Sequence, residues 1–223
     1  MPRKIRYILP DFAHHAIQRG NNKQNIFIDA ADRQSFLSDL EKYSIENKVS
    51  IGAYCLMTNH VHLLLYPEAE SGLIAFMKIV SQMHSQRMNR KYGRSGKFWE
   101  NRYKLHIVDP DYEWVVARYI DLNPVRANMV KQAVDYEYSS ASCHLLGHAD
   151  KVVTKDVIGQ RLREYKEFLF AKDAQATECL KKIRDTIQQE KILGNLQFIQ
   201  RLDGIFKMVF AVRPRGRPRE VNK

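Results

Sequence analysis

His60 and His62 stand one residue apart in the stretch "NHVHLLLY" (59–66). Imidazole is the side chain most often recruited to ligate a divalent cation near neutral pH. The neighbours are Val, Leu, Leu, Leu and Tyr, the composition of a buried strand. Residues i and i+2 of a strand project to one side, so the two imidazoles point together while Val61 points away. Their ring nitrogens can converge on one ion at roughly 2 Å each. Two histidines do not complete a site for a divalent cation, so a third ligand or a substrate oxygen is required. The same spacing also fits a blander arrangement, with one imidazole hydrogen-bonded in the core and the other exposed.

A second group of reactive residues lies in "RYIDLNPVRA" (118–127). Tyr119 and Asn123 are four residues apart, which on a continuous helix puts them on one face. Asn123 offers a neutral carbonyl oxygen suited to a hard cation, and Tyr119 a phenolic nucleophile beside it. A tyrosine is almost wholly protonated at neutral pH, its ordinary pKa being about 10. A metal at the target phosphate offsets this by polarising the phosphoryl oxygen. The alternative is an amphipathic core tyrosine and an asparagine that merely ends a helix before Pro124.

The elements that must position these residues can be read coarsely. A short strand covers 14–19 and is closed by the turn signal "GNNKQN". Apolar spacing predicts a helix over 29–47, opened by an aspartate. A β-prone stretch over 49–57 turns through "TN" into the His60–His62 strand, giving a hairpin. A second helix follows over 71–92, a fourth strand over 103–108, and a third helix opens at an Asp-Pro signal (109–110). The order β-α-β-β-α-β-α predicts an α+β, ferredoxin-like split βαβ sandwich, an antiparallel sheet with helices on one face. Three units are expected: a catalytic domain over 1–130, a mostly helical C-terminal extension over 131–212, and a basic tail over 213–223. In the extension, helices are expected over 155–174, 178–191 and 195–210.

Bulk properties narrow the partners. Length (223 residues) and hydrophobic content (44%) suit a folded protein with a real core. No apolar run reaches the roughly 18 residues that cross a bilayer, and the start lacks the apolar core of a signal peptide. The three cysteines form no CxxC pair, which argues against a structural zinc site and suits a reducing cytoplasm. Net charge is +11, shared as +5 over 1–130 and +6 over 131–223, so neither half is a basic tail on a neutral enzyme. A basic protein of this kind most often meets nucleic acid.

The segment 86–104, "QRMNRKYGRSGKFWENRYK", holds seven basic residues and one acid, interleaved with aromatics. Basic groups neutralise phosphate, and aromatic rings stack on unpaired bases for about 1–3 kcal/mol each. This marks Arg87, Arg90, Arg94, Lys97, Trp99, Arg102 and Lys104 as candidate DNA contacts. Phe98 and Trp99 are equally suited to packing. In the tail, "PRGRP" (214–218) is like the core of an AT-hook, with Arg215 and Arg217 placed to enter a narrow minor groove. A generic basic tail accounts for the same charge. His144 and His148 are expected to be surface or structural residues.

Four stretches in order, "MTNHVHLLL", "GKFWENRYK", "RYIDLNPVRANMV" and "DYEYSSA", resemble the REP-associated tyrosine transposases of the HUH superfamily, close to the single-tyrosine insertion-sequence transposases. The resemblance spans about 5–145. It implies a metal-dependent nuclease for single-stranded DNA that uses Mg²⁺ or Mn²⁺ and forms a 5′-phosphotyrosine link, leaving a free 3′-OH. Carried over residue by residue, Tyr119 is the nucleophile, His60 and His62 are metal ligands, and Asn123 is the third ligand. The loop "QRGNN", with Arg19 and Asn21, lies near a guide sequence at the foot of a palindromic DNA hairpin. The resemblance further implies a cytoplasmic, nucleoid-associated bacterial protein, a monomer with its tyrosine acting in cis, a dimer being the other arrangement. A binder that holds hairpins without cutting them, and an RNA-binding domain of the same fold, are the competing readings.

Overall fold

The computed structural model describes residues 6–170, Ile183 and residues 192–206. Its elements run β1 (Ala13–Arg19), α1 (Ala30–Glu46), β2 (Val49–Leu56), β3 (His60–Pro67), α2 (Glu70–Lys91), β4 (Lys104–Val108), α3 (Glu113–Asp121) and α4 (Asn123–Arg126). Further helices with described bounds are α5 (Ala141–Leu146), α6 (Leu162–Phe170) and α7 (Leu196–Phe206). The four strands form one antiparallel sheet in the order β2-β3-β1-β4. That order is the one a split βαβ chain must produce, because α1 and α2 each carry the chain across the sheet before a strand returns.

Local chemistry explains the boundaries. Asp29 caps α1 by accepting from the Asp32 amide, and the Asp32 carboxylate answers by accepting from the Asp29 amide. The helix ends where Asn47 Nδ2 donates back to the Tyr43 carbonyl and Lys48 turns to a φ of 54°. Gly20 closes β1 because a Cβ there would lie 2.4 Å from the Gln24 carbonyl oxygen.

The pleat splits the sheet into two chemically different faces. Val61, Leu63 and Leu65 point one way with Ala16, Ile51 and Leu56, and α1 and α2 cover them through Phe36, Leu40, Leu73, Phe76 and Val80. Leu64 and Tyr66 point the other way with Ala13, Ala53 and Val108. This second face is covered by α3, through Val116, Ala117 and Ile120, and by Tyr136, Leu145, Tyr165 and Leu169 of the extension. Helices therefore cover both faces, and the expectation of one covered face is corrected. The first 121 residues alone would leave the second face short of apolar cover, and the extension supplies it.

Two boundary expectations are also corrected. The third helix does not run through to Asn123. It stops at Asp121, and a separate turn starts at Asn123, because Pro124 cannot donate to the preceding turn. The helix expected from residue 155 begins only at Leu162. Asp156 Oδ1 accepts from the Ile158 and Gly159 amides, and Gly159 takes a φ of 61°, so this stretch is a turn. The helix expected over 178–191, apart from Ile183, and the tail from residue 207 lie outside the described residues.

One buried polar knot ties the extension to α3. Asp121 accepts from Ser140 Oγ at 2.9 Å and Tyr165 Oη at 2.9 Å, and meets His144 Nδ1 at 2.8 Å. His144 Nε2 donates to the Gly52 carbonyl at 2.9 Å, so both ring nitrogens donate and the imidazole is cationic. Burial pulls its pKa down, but the Asp121 carboxylate, the Gly52 carbonyl and the Asp150 charge together more than reverse this and the pKa is raised. On either side of Tyr119 the extension grips α3, since Arg118 Nε also donates to the Leu169 carbonyl.

The other buried histidines work in the opposite sense. His14 sits between the Leu9 amide and the Phe12 carbonyl, and His84 Nε2 donates to the Ile26 carbonyl. Burial lowers both to about 4 from an ordinary 6.5. A folded pKa below the unfolded one gives stability that is complete above pH 6.5 and is lost as pH falls toward 4. Each of these histidines is expected to contribute a slope of about 1.4 kcal/mol per pH unit within that window. Urea unfolding at pH 7, 6 and 5 checks this, and a flat profile would show that these imidazoles are not held neutral.

Candidate active site

The second face of the sheet carries the chemistry. His60 and His62 project on the side of Leu64 and Tyr66, and β1 adds His15, Ile17 and Arg19 alongside them. His62 lies directly opposite Ile17 in the ladder, and His60 opposite Arg19. The His60 and His62 rings are 4.9 Å apart between centroids and nearly perpendicular. From α3, the Tyr119 ring approaches His62 edge-on at 5.6 Å and His15 at 5.9 Å. The tyrosine and the histidine pair, 57 and 59 residues apart in the chain, are thus brought together.

Around them is a cavity of about 380 Å³ lined by Ile17, Arg19, His60, His62, Glu100, Asn101, Arg102, Lys104 and Tyr119. Three of those residues are cations, so a phosphate entering beside Tyr119 meets positive charge. The Tyr119 ring is only 8% exposed, yet its hydroxyl bonds to no other described residue. Arg126 lies over the ring, 4.4 Å from its centroid, and donates to the Tyr119 carbonyl.

The histidines present the right donor chemistry for a cation. His60 Nδ1 donates to Asn59 Oδ1 at 2.6 Å, leaving Nε2 with its lone pair. His62 Nδ1 is 3.0 Å from His15 Nε2. Burial lowers His60 to about 4, with the Arg19 charge adding to the effect. Burial, His60 and His15 lower His62 further. Both imidazoles are neutral bases at pH 7, the form that ligates metal. No cluster of three or more His, Cys, Asp or Glu placed to hold a metal occurs among the described residues. The residues present fit a cation that takes two imidazoles and completes its shell from amide, water or phosphate.

Asn123 is not among the residues lining the cavity. It is buried, and its Oδ1 accepts from Arg126 Nη2 at 2.9 Å. His62 is 3% exposed beneath Tyr119, whereas His60 is half-buried at the start of β3.

The two loops singled out for DNA contact prove to be neighbours. The Asn21 amide donates to the Phe98 carbonyl, Gln24 Nε2 donates to the same oxygen, and the Glu100 amide donates to the Arg19 carbonyl. Arg19, Arg102 and Lys104 stand at the cavity, and Arg94 and Lys97 are exposed on the loop leading to it. Arg90 is exposed on α2, whereas Arg87 is held by both oxygens of Asp39 on α1, at 3.0 and 2.8 Å. Trp99 packs: its Nε1 donates to the Ser81 carbonyl and its ring meets Phe98 edge-on. Arg215 and Arg217 lie outside the described residues.

Sequence reading missed His15, Glu100, Asn101 and Arg126. His15 carried a usable signal, because it shares parity with Arg19 on a strand whose turn had already been marked. Arg126 carried none, since only the break at Pro124 folds it back over Tyr119.

A tyrosine, two neutral imidazoles and a cationic cavity on a split βαβ sheet are the parts that phosphoryl transfer requires. The family described as "Transposase IS200 like" matches residues 9–123, just over half of the chain and a span that includes His60, His62, Tyr119 and Asn123. The chain belongs to the IS200-like transposase family. Among solved structures it is similar to a REP-associated tyrosine transposase bound to a REP hairpin, with 19% identity, a TM-score of 0.55, and coverage of 70% of this chain and 93% of that one. A candidate transposase from Deinococcus radiodurans R1 is 19% identical at a TM-score of 0.39, over 54% of this chain and 96% of that one. No curated protein matches the sequence. No helix among the described residues is long and apolar enough to cross a membrane.

Proposed function

We propose that this transposase cuts and rejoins single-stranded DNA at palindromic hairpins, using Tyr119 as the nucleophile. The reading rests on one observation above the others: the Tyr119 ring stands over His62 at the edge of a cavity lined by Arg19, Arg102 and Lys104. Tyr119 Oη attacks a backbone phosphorus, the bond to the 3′ oxygen breaks, and the DNA is left as a 5′-phosphotyrosine with a free 3′-OH. The tyrosine loses its proton and the departing oxygen gains one. Rejoining is the reverse, with a 3′-OH as nucleophile and Tyr119 as leaving group.

His60 and His62 would hold Mg²⁺ or Mn²⁺, with Asn123 as third ligand once its oxygen leaves Arg126. When bound, the ion supplies charge that polarises the scissile phosphate. Arg19, Arg102 and Lys104 neutralise neighbouring phosphates, and Asn21, two residues beyond Arg19, meets the foot of the hairpin. Tyr119 acts in cis, because its own extension holds α3 on both sides of it, and the protein works as a monomer on DNA at the nucleoid.

A labelled hairpin oligonucleotide incubated with and without Mn²⁺ tests the function: cleavage only with metal is expected. Binding without cleavage under every divalent ion would leave a hairpin-holding protein instead.

The DNA path has its own test. Replacing Arg94, Lys97 and Arg102 together by Ala is expected to weaken hairpin affinity and flatten its salt dependence by about one unit of slope per lost phosphate contact. Fluorescence anisotropy across a salt series measures both, and an unchanged slope would move the path off this loop.

A further inference from the structure

We propose that His15 is a positioning residue for the metal site, holding His62 in the one tautomer that can ligate a cation. This inference rests on the reading of His60 and His62 as metal ligands.

His15 sits on β1, the strand next to β3, opposite Leu64 and one diagonal step from His62 on the same face. Its Nε2 is 3.0 Å from His62 Nδ1. The two rings are 22° from parallel with centroids 5.2 Å apart. With the nitrogens that close, the rings meet edge to edge through the bond and are not stacked face on face. Tyr119 closes over both, and His106, opposite His15 on β4, stands on its far side. His15 is 1% exposed.

Only one proton occupies the bond, and its position decides what His62 can do. If His62 donates, its Nδ1 carries the hydrogen and its Nε2 lone pair is available to a cation. If His15 donates, the hydrogen of neutral His62 moves to Nε2, and the lone pair points at His15 instead. His60 is already set in the competent form by Asn59, whose Oδ1 can only accept. His15 Nε2 plays for His62 the part that Asn59 plays for His60. A ligating histidine whose far nitrogen is fixed in this way gains both ring orientation and basicity. An apolar side chain would fill the place of His15 without the cost of burying an imidazole.

The test combines two measurements on the full chain. In metal-free wild type, ¹⁵N NMR of the imidazoles is expected to show His62 protonated at Nδ1 and His15 at its own Nδ1. The Nε2–H form at His62 would overturn the proposal. The second measurement is Mn²⁺ binding by electron paramagnetic resonance, with Mn²⁺ alone as the probe. His15→Phe keeps a ring and removes the acceptor, and is expected to weaken Mn²⁺ binding about 10–100-fold. His15→Gln restores an acceptor oxygen and is expected to recover affinity to within a few-fold of wild type, which space-filling alone would not achieve. Hairpin binding without metal should be the same in all three proteins. Equal Mn²⁺ affinity in wild type and His15→Phe would overturn the role of His15 while leaving the metal site standing. No Mn²⁺ binding in wild type would overturn the metal reading and this inference with it. Should His15→Phe fail to fold, the tautomer seen in wild type decides.

Discussion

Tyr119→Phe is expected to abolish DNA cleavage while leaving fold and hairpin binding close to wild type. The wild-type protein, given Mn²⁺ and a single-stranded hairpin, should form a covalent adduct that survives denaturing electrophoresis. The label should stay with the protein when it lies 3′ of the cut, because the link is to the 5′-phosphate. Tyr119→Phe should give neither adduct nor cut. The structure makes this substitution unusually clean. The tyrosine hydroxyl bonds to no other described residue, so its removal strands no partner. The ring keeps its packing among Val116, Ile120 and the histidines, and Arg126 keeps its place over it. Stability should therefore change by no more than about 0.5 kcal/mol, the usual range for a change that breaks no buried interaction. An adduct that persists in Tyr119→Phe would move the nucleophile to another tyrosine, and Tyr103, beside Arg6, would be tried next.

The second large effect is expected at the histidine pair, and the two members should behave differently. His60→Ala should lower the cleavage rate by more than about 100-fold, since even residues behind the ligands commonly cost metal sites 10–100-fold. His60 is half-buried at the start of β3, so the loss of its ring should leave the melting temperature within a few degrees of wild type. His62→Ala should lose cleavage at least as completely, but with a visible loss of stability. It is 3% exposed beneath Tyr119, and truncation leaves a hole next to His15. Single-turnover cleavage at rising Mn²⁺, paired with thermal melting, separates the two. Cleavage at the wild-type rate in both variants would sink the assignment of these residues as ligands. Asn123→Ala should have a smaller effect than either, because water can replace a neutral oxygen ligand and because Asn123 Oδ1 already has a partner in Arg126.

How much of this was legible beforehand depended on the range of the interactions involved. The strand carrying His60 and His62, the helix opened by Asp29 and the hairpin through residues 58–59 were readable. Alternation, capping and turn chemistry act over a few residues and are written directly in the chain. The family motifs extended that reach to Tyr119, because their order along the chain carries what spacing alone does not.

Other features depended on contacts between distant segments. Arg87 and Trp99 look in sequence like parts of one cationic, aromatic strip. The fold gives Arg87 to Asp39 and Trp99 to the Ser81 carbonyl. The extension reads as a helical appendage, yet Tyr136, Leu145, Tyr165 and Leu169 complete the cover over the histidine face. His15 looked like one of a pair of strand histidines until the pleat sent His14 to the Phe12 carbonyl and His15 to His62.

The sequence by itself thus determined which side chains share a strand face, where α1 and α2 start, and that a tyrosine, two imidazoles and an excess of positive charge occur in one chain. Only the tertiary structure decided which of them meet. The antiparallel pairing of β1 with β3 set His15 one diagonal from His62, and the break at Pro124 turned Arg126 onto Tyr119 and Asn123. Hydrogen bonds and ring contacts form only within about 3–6 Å. Residues tens of positions apart reach that distance only when the whole core closes around them.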